Sequence, residues 1–329
     1  MIISQTPLRI SFVGGGTDLR SFYQHEDGMV LSSAIDKYVY VIVKERFDDK
    51  IYINYSIKEI VSNVSEIQHQ LVREAMKKVG IKKGVEITTL ADVPSEGSGL
   101  GSSSSITVGL LNALYHYAGI QVTLEQIARE ACEIEIDICK KPIGKQDQYI
   151  AAYGGLNKII FHADESVSIS RVPVYNTNLL ILGSRLLLFY TNTTRNADII
   201  LKKQKQETED KRDVLRKMKN FVPRLEQSLI NQKFNKLGKL LNDNWLLKKS
   251  LVSTISNPEI DEMYNKAMEA GALGGKICGA GGGGFLLMFV PKEKQDRVRE
   301  ALCDYRELPF MLDSFGSRII FNIRSYSTK

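Results

Sequence analysis

The residues with the clearest chemical potential lie in Pro94-Ser-Glu-Gly-Ser-Gly-Leu-Gly-Ser-Ser-Ser-Ser105, which runs straight into an apolar stretch at 106–117. Glycines at 97, 99 and 101 let the backbone turn tightly and come close to a ligand. The serines that follow stand where a helix starts. Their hydroxyls, together with unpaired backbone N–H groups, meet the positive end of the helix dipole. Such a junction binds anions, phosphate above all. A flexible Gly/Ser linker is the alternative. The segment is short, however, and lies between an alternating run at 85–90 and a helical pattern.

Two more glycine segments flank it at a distance, Pro7-Leu-Arg-Ile-Ser-Phe-Val-Gly-Gly-Gly-Thr-Asp18 and Lys276-Ile-Cys-Gly-Ala-Gly-Gly-Gly-Gly284. The second formally contains G-x-G-x-x-G, but a strand-like run follows it where a dinucleotide fold needs a helix. A P-loop signature is absent, as are the H-R-D and D-F-G elements of protein kinases.

Taken together, in this order along the whole chain, the three segments resemble the three motifs of the GHMP small-molecule kinases. The G-G-G-T-D ending of the first, with Gly144-Lys-Gln-Asp-Gln148 and Thr194-Arg-Asn-Ala197, looks most like the sugar-kinase branch. The resemblance implies an α+β fold of two domains. A domain like the second domain of ribosomal protein S5 is expected at 1–180, and a ferredoxin-like domain at 181–329. It also implies ATP and Mg²⁺ as cofactors and a sugar phosphate as the other substrate. The expected reaction is phosphorylation of the anomeric O1 of a D-glycero-D-manno-heptose 7-phosphate, for nucleotide-activated heptose synthesis. A fucokinase or another sugar kinase is the alternative, and a catalytically silent sugar sensor on the same fold is a further one.

The same resemblance assigns roles. Gly97, Ser98, Gly99, Leu100, Gly101, Ser102, Ser103 and Ser104 would cradle the triphosphate. Ser102 would turn its hydroxyl toward Mg²⁺, with Ser103 and Ser104 as near equivalents. Glu135, twelve residues before Asp147, matches the metal carboxylate, and Glu133 is the fallback. On an α-helix the two glutamates are about 200° apart, so at most one faces the site. Asp147 would accept or orient the proton of the attacking hydroxyl. Arg9 would favour the ionised carboxylate and steady developing charge, with a structural ion pair as its alternative. Gly14, Gly15, Gly16, Thr17 and Asp18 would line the acceptor pocket, an aspartate being suited to vicinal hydroxyls. A capped turn is the other reading of that stretch. Gly281 and Gly282 would approach the substrate from the second domain. Arg195 is the candidate for holding a substrate phosphate. Lys276 could support charge or be a surface lysine, and Cys278 reads as a packed hydrophobe.

The bulk properties agree with a soluble two-domain enzyme. The 329 residues are 43% hydrophobic and 25% charged. The net charge of +6 is spread out, and the basic residues at 195–224 interleave with acids, as on a solvated helix face. Without a basic stripe carrying aromatics, a nucleic-acid partner is not expected. A mild positive excess suits a small anionic substrate. No run is long enough to span a bilayer and no signal peptide is recognisable, so no membrane partner is expected. The four cysteines show no C-x-x-C spacing, and a cytoplasmic location is expected. No pattern in the chain sets its oligomeric state.

These residues must be positioned by elements that the pattern also predicts. Strands are expected at 8–13, 30–34, 38–46, 51–55, 85–90, 156–161 and 167–172, and helices at 65–79, 106–118, 124–139 and near 145–153. Beyond 180 a strand at 185–191 precedes long amphipathic helices at 195–249 and 258–270. Strands at 274–278 and 284–290, a helix at 292–304 and a strand at 318–325 follow.

Overall fold

The computed structural model describes residues 1–94, 97–193 and 197–323. Two long strands organise its first half: β1 (Ile2–Val13) and, after the short helix α1 (Arg20–Tyr23), β2 (Gly28–Glu45). They pair antiparallel over their length. The two runs expected at 30–34 and 38–46 are one strand, because Asp36-Lys37 forms a bulge rather than a turn: Pro7 faces Tyr38 while Leu8 faces Ile35. The Asp36 carboxylate accepts a hydrogen bond from the Met311 N–H at 2.8 Å, which pins the bulge.

β3 (Ile51–Asn54), β4 (Lys58–Val61) and β5 (Val85–Ala91) extend the sheet beside the second half of β2, with β3 and β5 parallel. β6 (Leu156–Phe161) and β7 (Val167–Arg171) extend it beside the first half. Of the helices, α2 (Gln70–Val79), α3 (Ser102–Ala118), α4 (Leu124–Cys132) and α5 (Gln146–Tyr153), α3 lies across β1 and β2 and the others pack around it. The helix expected at 124–139 changes character at Glu133: residues Glu133–Ile138 form a π-helical segment, a widening often found at functional sites.

After α6 (Asn176–Gly183) the chain forms a second, three-stranded sheet of β8 (Leu186–Tyr190), β9 (Gly274–Ile277) and β10 (Phe285–Phe289), with β10 in the middle. Between β8 and β9 run α7 (Ala197–Gln206), α8 (Arg212–Lys219), α9 (Phe221–Ile230), α10 (Asn235–Lys249) and α11 (Pro258–Glu269), and α12 (Gln295–Ala301) follows β10. The fourth position of a ferredoxin-like sheet is held by a single bridge, Phe189 to Glu307. The unbroken apolar run Phe285-Leu-Leu-Met-Phe289 has a simple cause. Phe285, Leu287 and Phe289 enter the core shared with the first sheet, while Leu286 and Met288 enter the core beneath α11 and α12.

The expected division at 180/181 falls within α6, between the two sheets. The last strand, β11 (Arg318–Asn322), leaves the second half and pairs antiparallel with β1. Among the described residues no helix is long and apolar enough to cross a membrane.

The return of the chain is fastened by a buried cluster. The Ser317 and Thr6 hydroxyls hydrogen-bond at 2.8 Å, and the Asn112 amide donates to Ser317 at 2.9 Å. Ser317→Ala leaves two buried polar groups unpaired and should cost about 2 kcal/mol. Urea denaturation measures it, and a loss below about 0.5 kcal/mol would contradict this role.

Candidate active site

Arg9 projects from β1 and Asp147 from the first turn of α5, and the two meet as a bidentate ion pair. Nε donates to Oδ1 at 2.7 Å and Nη2 to Oδ2 at 2.6 Å. The third arm of the guanidinium, Nη1, donates to the Gly99 carbonyl at 2.5 Å. The arginine is only 4% exposed, whereas the aspartate side chain is 22% exposed and opens onto a pocket. Burial opposes the Arg9 charge, but the Asp147 carboxylate more than offsets it and holds the guanidinium pKa above its ordinary value. A planar fork with its donors committed fixes the carboxylate in place.

The glycine loop closes over this pair. Gly101, at φ +80°, caps α3, and a Cβ there would stand 3.1 Å from Arg9 Cγ and 3.4 Å from Asp147 Oδ2. A side chain at this position would push on the ion pair. Leu100 is buried in the core and its carbonyl accepts from the Arg9 N–H at 2.9 Å, so it anchors the loop. Ser98 and Ser102 are both buried and hydrogen-bond each other at 3.0 Å.

Ser102 thus meets Ser98 rather than Glu135. The hydroxyl that meets Glu135 is that of Ser103, which donates to Oε1 at 2.6 Å. Glu135 is fully buried, also accepts from Gln148 Nε2 at 2.7 Å, and lies 3.3 Å from Lys141 Nζ. Glu133 turns the other way, to Lys78 at 2.6 Å. A carboxylate and a hydroxyl are the hard donors that suit Mg²⁺, which takes its remaining ligands from phosphates and water. No cluster of three or more His, Cys, Asp or Glu forms a protein-only metal cage among the described residues. The pair Ser103 and Glu135 thus fits a Mg²⁺ bound together with a triphosphate.

The pocket beside Asp147 has Ser11, Gly15, Gly16 and Asp18 on one side and Lys248, Lys276 and Gly279 on another. Asp18 accepts from the Gly16 N–H at 2.9 Å and from Gln146 Nε2 at 3.0 Å. Burial first, and then the Asp147 charge, push the Asp18 pKa up. Gly14 and Thr17 stand behind this wall rather than on it. Thr17 is fully buried, with its hydroxyl tied to the Gly14 carbonyl at 2.8 Å and to the Met29 N–H at 2.9 Å, so it serves the turn. The Gly14 N–H reaches Asn244 Oδ1 at 3.4 Å.

Gly281 and Gly282 are also removed from the pocket: a Cβ on Gly281 would press on Ile255, and the Gly282 N–H donates to the Ile255 carbonyl at 2.8 Å. The residue of that cluster that approaches the site is Gly279. A Cβ on it would come within 2.7 Å of Gly99 Cα, so the two glycine segments are pressed backbone to backbone. Arg195 lies outside the described residues.

Two lysines complete the pocket, and one of them went unnoticed in the sequence. Lys276 is 2% exposed and donates to the Ser11 carbonyl at 2.6 Å; Lys248 is 6% exposed and donates to the Gly279 carbonyl. Lys248 did leave a signal, because it continues the buried stripe Leu237, Leu241, Asn244 and Trp245 of α10 where a charge is out of place. Burial lowers both lysines, Lys248 well below the ordinary range and Lys276 to about 8.

Lys276 faces Cys278, Arg9, Asp18, Asp147 and Lys248. Unfolded, a lysine titrates near 10.4, so between that pH and about 8 the unfolded chain holds a proton that the folded chain releases. Stability should therefore rise with pH across this window, by on the order of 3 kcal/mol from this group. Guanidinium titrations from pH 7 to 11 should show that rise in the parent protein and its loss in Lys276→Met; an identical pH profile for both would contradict the assignment.

Residues 63–155 match the family model described as GHMP kinases N terminal domain, and residues 225–307 match GHMP kinases C terminal. The chain is 32% identical over 318 residues to a D-glycero-alpha-D-manno-heptose 7-phosphate kinase of Campylobacter jejuni, covering 92% of this chain and 93% of that one. The crystal structure of a D-glycero-D-manno-heptose 1-phosphate kinase from Bacteroides thetaiotaomicron superposes with a TM-score of 0.78 at 25% identity, over 99% of this chain and 100% of that chain. A galactokinase of Lactococcus lactis, 18% identical, shares the fold with a TM-score of 0.76 over 96% and 94% of the two chains.

Proposed function

The chain belongs to the GHMP kinase family, and we propose that it transfers the γ-phosphoryl group of ATP to the anomeric O1 of a D-glycero-D-manno-heptose 7-phosphate, yielding the 1,7-bisphosphate. The observation that carries the transfer chemistry is the Arg9–Asp147 fork, which holds a carboxylate at the pocket beside the N-terminus of α3. The choice of sugar rests on the heptose 7-phosphate kinase relative, similar across 92% of this chain. A cytoplasmic setting, where ATP and sugar phosphates occur, fits this reaction.

In this reading the acceptor hydroxyl points at Asp147. The carboxylate takes its proton as the new O–P bond forms and the bond from the γ-phosphorus to the β,γ-bridging oxygen breaks. Arg9 keeps the Asp147 carboxylate aimed at the acceptor. Backbone N–H groups of Gly97–Ser102 and the dipole of α3 hold the phosphate chain. Mg²⁺, held by Ser103 and Glu135, would neutralise charge on the transferred and leaving groups. Asp18 would accept from the sugar hydroxyls, beside the turn at Gly15 and Gly16.

Asp147→Asn should leave the ATP dissociation constant within about threefold and reduce kcat by about 10³-fold. Turnover within tenfold of the parent would rule out proton acceptance by this residue. Ser103→Ala should raise the Mg²⁺ concentration for half-maximal rate by about tenfold, and Ser102→Ala by much less. A magnesium titration of the rate that ranks the two variants the other way would place the metal hydroxyl at Ser102.

A further inference from the structure

Lys248 and Lys276 are buried amines that the transfer chemistry above leaves without a role. Both are more than nine-tenths buried, and among the described residues neither has a carboxylate within ion-pair distance. Each donates one hydrogen bond to a backbone carbonyl, so its amino group has donor capacity left at the pocket that both residues line. Next to Lys276 the Ser11 hydroxyl is buried and has no hydrogen-bond partner. Buried charges and donors are ordinarily paired within the protein. The acids of the pocket do not pair with these lysines, since Asp147 is committed to Arg9 and Asp18 is held by Gly16 and Gln146.

We propose that Lys248, Lys276 and the Ser11 hydroxyl form the seat of a phosphate that the acceptor sugar itself carries, so that this pocket selects a phosphorylated over a free sugar. The source of that phosphate follows from the placement. The nucleotide has its own donors in the backbone N–H groups of the 97–102 loop at the start of α3. The lysines line the same pocket as Gly15, Gly16 and Asp18, and come from α10 and β9 of the second half. Two ammonium groups and a hydroxyl supply the several donors that a dianionic monoester needs. The identity of the acceptor rests on the function proposed above; the existence of the seat does not.

The full-length protein is assayed with ATP and either D-glycero-D-manno-heptose 7-phosphate or the unphosphorylated heptose. The parent should favour the phosphorylated sugar by about 100-fold or more in kcat/KM, and that ratio should fall below about tenfold in Lys248→Met and in Lys276→Met. Equal losses on both sugars would mean that the lysines serve the transferred group, which overturns the proposal, as does an unchanged ratio. Inorganic phosphate gives a test that needs no variant: it should inhibit the parent competitively against the heptose phosphate and not against ATP, and competition with ATP alone overturns the seat. If no sugar is phosphorylated, the functional reading fails while the seat is still decided. Calorimetric binding of inorganic phosphate by the parent that is lost in the double Lys→Met variant supports it, and equal binding by both refutes it.

Discussion

An arginine whose guanidinium arms are committed within the protein constrains everything around it. Arg9 reaches from a buried strand, grips Asp147 with two arms and the Gly99 carbonyl with the third. The cation behind the Asp147 carboxylate is itself buried and cannot rotate away. β1 must then run straight through the core between β2 and β11, α5 must begin at the pocket, and α3 must start with a glycine that leaves room for the pair. The chemistry proposed for Asp147 is a property of this arrangement more than of the residue.

The same constraint couples the two halves. The glycine loop above the ion pair is backed by the second glycine cluster, with Gly99 and Gly279 in backbone contact. Lys276 reaches across to Ser11, and Lys248 braces Gly279. β10, apolar on both faces, joins the two cores beneath the site. Shifting the second sheet by even an ångström would disturb the phosphate loop and the acceptor wall together. Beside Asp147 the pocket carries Lys248 and Lys276, and residues from both halves of the chain line it.

Much of this was legible in the sequence, and what was not has physical causes. Local composition carries the loop-to-helix junction, while Arg9, Asp147 and Glu135 are singled out by the resemblance to the GHMP motifs, and the structure pairs Arg9 with Asp147 and Glu135 with Ser103. Which serine meets Glu135 is not visible: successive helix residues differ by about 100°, so the choice between Ser102 and Ser103 depends on how α3 is rotated against β1. Gly281 and Gly282 were misread for a related reason, since a glycine required by a neighbouring backbone looks the same as one required by a ligand. Thr17 was misread because a hydroxyl that caps a turn and one that meets a substrate share a sequence context. The return of β11 to β1 and the burial of Lys248 and Lys276 arise from contacts across most of the chain length, which no local pattern records.

The central claim is geometric: Asp147, held by Arg9, faces the hydroxyl that is phosphorylated. A crystal structure with a non-hydrolysable ATP analogue, Mg²⁺ and D-glycero-D-manno-heptose 7-phosphate tests it directly. The account predicts the sugar O1 within hydrogen-bonding distance, about 3 Å, of an Asp147 carboxylate oxygen and in line with the γ-phosphorus. An acceptor bound with O1 turned away from Asp147, or with another side chain nearer to it, would contradict the account.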